Sequence, residues 1–248
     1  MTAKATGERA PATEERNESG VEQLSTAKAT GERASQGAPA TEERNESGVE
    51  QLSSTTHDYE VVSTEEIYAG RIISLRKDTV AMPGGGTSVR EVVHHPGAVG
   101  IVALDDEDRV VMVRQYRHPI GAHLWELPAG LRDVDGEPPV DSARRELAEE
   151  TQLSAERWSL LTTQHPSPGF CDELVLLYLA EGLTEAPRPD GFVVEHEELD
   201  MTVERMPLAE AVQRVFDGDI RNGTAVIGLL AAAQARTVGP RLRAVDAT

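Results

Sequence analysis

Residues 130 to 153 read Gly130-Leu-Arg-Asp-Val-Asp-Gly-Glu137-Pro-Pro-Val-Asp-Ser-Ala-Arg-Arg145-Glu146-Leu-Ala-Glu149-Glu150-Thr-Gln-Leu153. The pair Pro138-Pro139 favours a helix start, because the fixed φ of proline suits the first turn and its missing N–H costs nothing there. Good helix formers follow, and we expect a helix from about Val140 to Thr151. Its apolar side, which should pack against a core, consists of Val140, Ala143, Leu147 and Ala148.

Three glutamates of this helix point the same way. At about 100° per residue, Glu146, Glu149 and Glu150 fall within one arc of about 100°. Like charges three or four positions apart destabilise an isolated helix by about 0.2–0.5 kcal/mol per pair, so we expect a positive group to offset them. A hard divalent cation such as Mg²⁺ prefers carboxylate oxygens. The alternative is a solvated acidic helix face, the commoner origin of a charge run.

The wider pattern closely resembles the Nudix box, the signature of hydrolases that act on nucleoside diphosphates linked to a second group. That signature reads G-x5-E-x7-R-E-U-x-E-E-x-G-U, with U an aliphatic residue, and its charged positions are Glu137 and Arg145-Glu146-Leu-Ala-Glu149-Glu150 here. Six residues instead of five separate Gly130 from Glu137, which lengthens a loop. Gln152 replaces the second glycine, although glutamine adopts a positive φ at a helix end less easily than glycine.

The resemblance implies a metal site formed by the box carboxylates and by the backbone carbonyl before the box glycine. The expected ion is Mg²⁺, with Mn²⁺ as the alternative. The implied ligands are the Ala129 carbonyl, Glu137, Glu146, Glu149 and Glu150. Arg145 is expected to hold the carboxylates in position.

The stretch before the box is similar to that of the ADP-ribose pyrophosphatase branch of this family. It reads Val113-Arg-Gln-Tyr-Arg117-His-Pro and then Leu124-Trp-Glu-Leu-Pro-Ala-Gly130. In that branch the arginine matching Arg117 contacts the substrate diphosphate, which suits the two-pronged guanidinium; the alternative is a surface arginine at a strand end. A proline about fifteen residues past the box also marks the branch, although a Pro-Gly pair is usually only a turn. The expected substrate contacts are Arg117, Arg114, Trp125, Glu126 and Pro168.

An acidic segment, Glu195-His-Glu197-Glu198-Leu-Asp200, follows a loop rich in proline and glycine at Ala186–Gly191. In ADP-ribose pyrophosphatases a glutamate in the loop at this point serves as the catalytic base. The resemblance therefore places this role on Glu198, with Glu197 as the nearest rival. A solvated acidic loop is the alternative.

Composition narrows the class of protein. The 248 residues carry a formal charge of −19, which argues against non-specific affinity for nucleic acid or anionic membrane. Cys171 is the only cysteine, which excludes an intrachain disulfide and fits a reducing compartment. No stretch approaches the roughly 18 apolar residues of a membrane span, and the N-terminus lacks the apolar core of a secretory signal. We expect a soluble cytoplasmic protein.

Residues 1–57 are a duplication, in which Thr2–Ser25 recurs as Thr26–Ser53 with four residues inserted. The duplicated tract has almost no large apolar residues, so we expect it to be disordered. Residues 58–97 are expected to form an N-terminal antiparallel strand subdomain, 98–238 the Nudix domain, and 239–248 a flexible C-terminus. Strands are predicted at Tyr59–Val62, Ile67–Lys77 with Asp78–Ala81, Ser88–His94, Ala98–Leu104, Arg109–Gln115, Leu124–Leu127, Trp158–His165, Glu173–Ala180 and Met201–Met206, and further helices at Leu208–Phe216 and Thr224–Ala235.

The pattern predicts an α/β fold with a mixed sheet between helices, and the resemblance implies the α/β/α sandwich of Nudix proteins. Its implied activity is metal-dependent hydrolysis of ADP-ribose to AMP and ribose 5-phosphate by a homodimer. Three alternatives remain: a Nudix hydrolase of another nucleoside diphosphate derivative such as a nucleotide sugar, a non-catalytic ADP-ribose sensor, and an interaction protein that works through its acidic tail.

Overall fold

Two sheets and three α-helices make up the computed structural model, which describes residues 59–189, 200–239 and 242–245. The first sheet contains β1 (Val61–Ala69), β2 (Ser74–Ala81) and β3 (Thr87–His94). The other strands are β4 (Ala98–Leu104), β5 (Arg109–Arg117), β6 (Ala122–Glu126), β7 (Ala129–Leu131), β8 (Leu153–Gln164), β9 (Val175–Glu185), β10 (Thr202–Pro207) and β11 (Arg243–Ala244). The helices are α1 (Pro139–Thr151), α2 (Leu208–Phe216) and α3 (Gly223–Val238), with a 3₁₀ turn at His118–Ile120. The predicted disordered tract at 1–57 and the two candidate bases, Glu197 and Glu198, lie outside the described residues.

The larger sheet is mixed, as predicted. Its order is β10-β5-β4-β9-β8-β11, with β6 paired to β5 and β7 to β4. β4 and β9 run parallel, from Ala98 opposite Val175 to Leu104 opposite Glu181, whereas the other pairs are antiparallel. The parallel pair lies at the centre of this order, so most of β4 and the first half of β9 are buried.

Helices cover both faces of this sheet. Successive side chains of a strand point to opposite faces, so β4 contributes Val99 and Ile101 to one core and Val102 and Leu104 to the other. The first core contains the apolar side of α1, and the second contains apolar residues of α2 and α3. The predicted α/β/α layering is therefore confirmed. No helix within the described ranges is long and apolar enough to cross a membrane.

The helix α1 begins and ends with unusual residues. Pro138 precedes it in an extended conformation, and the helix begins at Pro139, one residue before the predicted start. At its end Gln152 takes the left-handed conformation, with φ 56° and ψ 38°, and its N–H donates to the Ala148 carbonyl. This conformation costs a non-glycine residue about 1–2 kcal/mol, and the intact fold tolerates that cost. The left-handed helix end that the signature assigns to glycine is therefore formed here by Gln152.

The smaller antiparallel sheet, β1-β2-β3, is attached to the larger unit through β3. The Val93 N–H donates to the Phe170 carbonyl at 2.7 Å, and the Asp172 N–H donates to the Val93 carbonyl at 3.1 Å. The Asp172 carboxylate also lies 2.9 Å from Nδ1 of His94. The turn that carries Pro168 therefore joins the two sheets.

Candidate active site

Arg145 lies at the centre of the acidic side of α1. Its Nη1 donates to Glu146 at 2.8 Å and to Glu149 at 3.1 Å, while Nε and Nη2 donate to the two oxygens of Glu137 at 3.3 and 3.2 Å. Burial opposes the charge of Arg145, but the hydrogen bond to Glu137 and the charges of Glu146 and Glu149 raise its pKa above its usual value. One guanidinium thus gathers three of the four box carboxylates.

The fourth box carboxylate, Glu150, is held from the other side. Its Oε2 accepts a hydrogen bond from the Ala129 backbone N–H at 3.1 Å. Burial raises the pKa of Glu150 to about 8, and repulsion from Glu146 adds to this against the hydrogen bond from Ala129. Burial likewise raises the pKa of Glu146 to about 7, against the charge of Arg145. These two carboxyls are therefore close enough to repel each other.

Glu137 behaves in the opposite way. Hydrogen bonds from Arg145 lower its pKa despite burial, and the Ser142 hydroxyl donates a further one at 2.7 Å. Glu137 is thus a fixed negative charge at the start of α1, where it anchors Arg145 to the loop before the helix.

The box glycine makes room for Glu146. A Cβ atom built on Gly130 would overlap the carboxylate carbon and Oε1 of Glu146. The φ of Gly130 is not in the left-handed region, so close approach, and not backbone conformation, explains the need for glycine. The pairing of β7 with β4, in which Gly130 is opposite Val99, fixes the backbone of Gly130 and therefore its distance from Glu146.

Gly130→Ala is expected to push the Glu146 carboxylate out of its place and lower the kcat/KM of diphosphate hydrolysis about 10–100-fold, the range typical of disturbed metal surroundings. Gly223→Ala is the matched control, since a Cβ there meets nothing within 4 Å. Steady-state kinetics of the two purified variants checks this. A wild-type kcat/KM in Gly130→Ala would show that catalysis does not depend on the position of the Glu146 carboxylate.

A second arginine lies beside this cluster. Arg117, at the end of β5, donates from Nε and Nη2 to the two oxygens of Glu126 at 2.8 and 2.7 Å. The positive charge of Arg117 lowers the pKa of Glu150, and the negative charge of Glu126 raises it, both as smaller effects than burial. The pair lies on the side of the sheet that α1 covers, near enough to Glu150 for both charges to act on it.

The relationship of this chain to known proteins agrees with that arrangement. A family model described as the NUDIX domain matches residues 94–225. The chain belongs to the Nudix family. A second model, described as the nucleoside diphosphate sugar hydrolase N-terminal domain, matches residues 59–93.

Similar proteins support this membership along most of the chain. An ADP-ribose pyrophosphatase of Mycobacterium tuberculosis is 53% identical over 175 residues, which are 71% of this chain and 83% of that protein. A methanol dehydrogenase activator of Bacillus methanolicus is 39% identical over 170 residues, 68% of this chain and 90% of that one. The solved structure of an ADP compounds hydrolase, 21% identical, superposes with a TM-score of 0.63 and covers 75% of this chain and 99% of that one. That structure bears on the fold alone.

The Nudix carboxylates suit a hard divalent cation by their chemistry. In the described part of the chain, no three His, Cys, Asp or Glu side chains converge as a ready-made metal site, because Glu137, Glu146 and Glu149 are turned towards Arg145. Yet Glu146 and Glu150 are two partly buried oxygen donors, and a cation would offset the repulsion that Glu146 exerts on Glu150. The donor set fits Mg²⁺ or Mn²⁺.

Three of the predicted substrate contacts are not brought to the Nudix helix. Arg114 pairs with Trp125 across β5 and β6, and alternation places both on the opposite side of the hairpin from Arg117 and Glu126. Trp125 packs accordingly against the core beneath α2 and α3. Pro168 lies in the turn that contacts β3. A substrate role for these three residues stays a prediction.

The flanks of the segment that carries Glu197 and Glu198 contact α1 on one side and the β5–β6 hairpin on the other. On one side, Nε of Arg188 donates to the Glu149 carbonyl at 3.0 Å. On the other side, the Asp200 carboxylate lies 2.8 Å from Nε2 of His123 on β6. Neither contact was predicted, because nothing in the sequence spacing of Arg188 or His123 signals it.

Proposed function

We propose that this Nudix protein hydrolyses the diphosphate of ADP-ribose to AMP and ribose 5-phosphate. The observation that carries the proposal is the group of box carboxylates on α1, with Arg117 on the same side of the sheet. A guanidinium and a cation site side by side suit a diphosphate, which carries two negative charges. The 53% identity to the mycobacterial ADP-ribose pyrophosphatase, over most of both chains, supports the choice of substrate.

We assign the roles of the residues from the Nudix resemblance, and the contacts of α1 support this assignment. Glu146 and Glu150, with Glu137, Glu149 and the Ala129 carbonyl, would hold Mg²⁺, or Mn²⁺ in its place. When bound, the ion supplies positive charge against the diphosphate and acidifies a nearby water. Arg145 keeps the carboxylates in position, and Arg117 binds the diphosphate. The proton of the attacking water goes to the carboxylate of Glu198, or of Glu197 as its rival.

A substrate panel tests the proposal. With Mg²⁺ present, kcat/KM for ADP-ribose should exceed that for ADP-glucose, NADH and nucleoside triphosphates, with AMP release as the readout. The match of residues 59–93 to a nucleoside diphosphate sugar hydrolase domain favours nucleotide sugars as the second candidate, and ADP-glucose as best substrate would select it. Binding of ADP-ribose without AMP release would instead indicate a sensor.

The smaller sheet supports the homodimer implied by the Nudix resemblance. β1 is an edge strand of this sheet, and all nine of its residues are exposed. Tyr68 is 58% exposed and Val89 56%. Pairing places them on one face, since their partners on β2, Leu75 and Thr79, are four residues apart. An exposed apolar face and edge of this kind marks an interaction site, and the proposed occupant is the same sheet of a second copy.

Sedimentation analysis checks the dimer. The wild-type chain should sediment as a dimer at micromolar concentration, and the double variant Tyr68→Glu, Val89→Glu should sediment as a monomer, because the charges cannot be buried unpaired. Phe216→Glu is the control, as Phe216 is an exposed aromatic residue at the end of α2. A wild-type monomer across the concentration range contradicts the proposal.

A further inference from the structure

Glu126 is the most deeply buried carboxylate among the described residues. It is 2% exposed, compared with 6% for Asp78 and 8% for Asp105. Both of its oxygens accept hydrogen bonds from one arginine, Arg117, whose side chain is 44% exposed. One end of this ion pair is therefore fixed in the protein interior, and the other end reaches the surface.

The register of the β5–β6 hairpin explains the shape of the pair. Glu126 is opposite Val113, and Arg117 is opposite Ala122. Four residues of strand separate Val113 from Arg117, or about 13 Å at the usual rise per residue. The two side chains must therefore extend towards each other along the same face of the hairpin. In this arrangement the carboxylate determines where the guanidinium lies.

Stability alone gives a weak reason to keep such a pair. Removing the Glu126 carboxylate from water is costly, and solvent screens its attraction to an arginine that is 44% exposed. The two parallel hydrogen bonds do, however, fix the plane and position of a guanidinium. A flexible arginine at a strand end would lose conformational entropy on binding an anion, and prior fixation avoids this loss.

We infer that Glu126 is a positioning residue, which acts on substrate only through Arg117. It holds the guanidinium on the side of the sheet that α1 covers, so that the diphosphate meets Arg117 and the carboxylate site together. This inference rests on the proposed diphosphate hydrolysis and assigns Glu126 a role other than direct substrate contact. In Glu126→Gln the side-chain volume is kept, but the amide NH₂ faces the donors of Arg117 and the paired hydrogen bonds are lost.

A double-mutant cycle tests the inference, with kcat and KM for ADP-ribose measured at saturating Mg²⁺. Glu126→Gln is expected to lower kcat/KM about 10–100-fold, the range for residues that orient a group at the site. Arg117→Ala should lower it at least as much. The double variant should be no worse than Arg117→Ala, because Glu126 then has nothing to position. The loss in Glu126→Gln should also divide between KM and kcat as it does in Arg117→Ala.

Independent contact of Glu126 with substrate or cation predicts a different result. The two losses would then multiply in the double variant, and the inference would be overturned. If Glu126→Gln, but not Arg117→Ala, needed a higher Mg²⁺ concentration for half-maximal activity, the inference would be overturned as well. Arg117→Lys is a second variant that leaves Glu126 intact: lysine keeps the charge but cannot form the fork, so a loss close to that of Glu126→Gln is expected, and full activity contradicts the inference.

Asp105→Asn supplies a control for the effects of unpairing a buried carboxylate. Asp105 is 8% exposed and accepts from Nε of Arg109 at 2.9 Å, at the β4–β5 turn. Asp105→Asn should lower the melting temperature and leave kcat/KM unchanged. A melting curve of Glu126→Gln then distinguishes a loss of folded protein from a displaced Arg117 guanidinium in a folded protein. If the wild type releases no AMP, the proposed function fails, and the same cycle is then measured as ADP-ribose affinity by calorimetry, where non-additivity still decides the role of Glu126.

Discussion

Glu146→Gln and Glu150→Gln are each expected to lower kcat/KM for ADP-ribose by about 10³-fold, equivalent to about 4 kcal/mol of transition-state stabilisation. Both carboxylates are partly buried. Burial raises the pKa of each, and the charge of Glu146 raises that of Glu150 further. A divalent cation would make this arrangement favourable, and an amide provides only a neutral oxygen to such an ion. Several kcal/mol of charge stabilisation is the usual contribution of a catalytic metal ion.

The measurement is steady-state AMP release at increasing Mg²⁺, with chelation and re-addition of Mg²⁺ on the wild type as the parallel experiment. Chelation should abolish activity and re-addition restore it. Asp141→Asn is the matched control, because Asp141 is an acid of the same helix that pairs with Arg144 and not with the site. Near wild-type turnover of either glutamate variant at saturating Mg²⁺ would refute the assignment of the site.

Glu198→Gln is expected to reduce kcat by about 10²–10⁴-fold with little change in KM, the scale of general base catalysis. Glutamine keeps the volume and one carbonyl acceptor but cannot take a proton, so the loss isolates proton transfer. The contacts of Arg188 with Glu149 and of Asp200 with His123 place both flanks of this segment near the Nudix helix and the β5–β6 hairpin. Those contacts support a base from this segment.

Glu197→Gln is the paired variant, measured under the same conditions together with the Mg²⁺ requirement of each protein. The Mg²⁺ requirement should stay unchanged in both variants, since neither residue belongs to the box. If kcat falls in Glu197→Gln and is unchanged in Glu198→Gln, the catalytic base is Glu197. Normal turnover in both would place the base elsewhere, with the box glutamates as the next candidates.

Much of the fold was predictable from local signals. The double proline and the apolar side of α1 predicted that helix to within one residue, and β4 followed from its apolar run at Ala98–Leu104. β7 was missed, because three residues carry no periodicity and the strand exists only through its pairing with β4. The predicted strand Ile67–Lys77 is wrong as one element, since a turn with a hydrogen bond from Gly70 N–H to the Ile73 carbonyl divides it.

The site was predictable where the residues belong to one continuous motif. The positions of Glu137, Glu146 and Glu149 follow from box spacing, and the structure brings these three carboxylates together around Arg145. The ion pair of Arg117 with Glu126 was not predictable in the same way. It depends on the register of the β5–β6 hairpin and on the burial of Glu126, and the spacing of the two residues in the sequence indicates neither. Gly130 is an intermediate case, since the motif names the glycine but the contact with Glu146 explains it.

The two ends of α1 differ in how they would tolerate insertions during evolution. Residues 132–138 form a loop between β7 and α1, so the extra residue relative to the Nudix signature is accommodated there without moving either element. At the other end only Gln152 separates Thr151 from Leu153, the first residue of β8. One residue added at that junction would turn buried Leu153 and the strand behind it to the opposite face of the sheet. Length variation among relatives is therefore expected before the helix, and a fixed length after it.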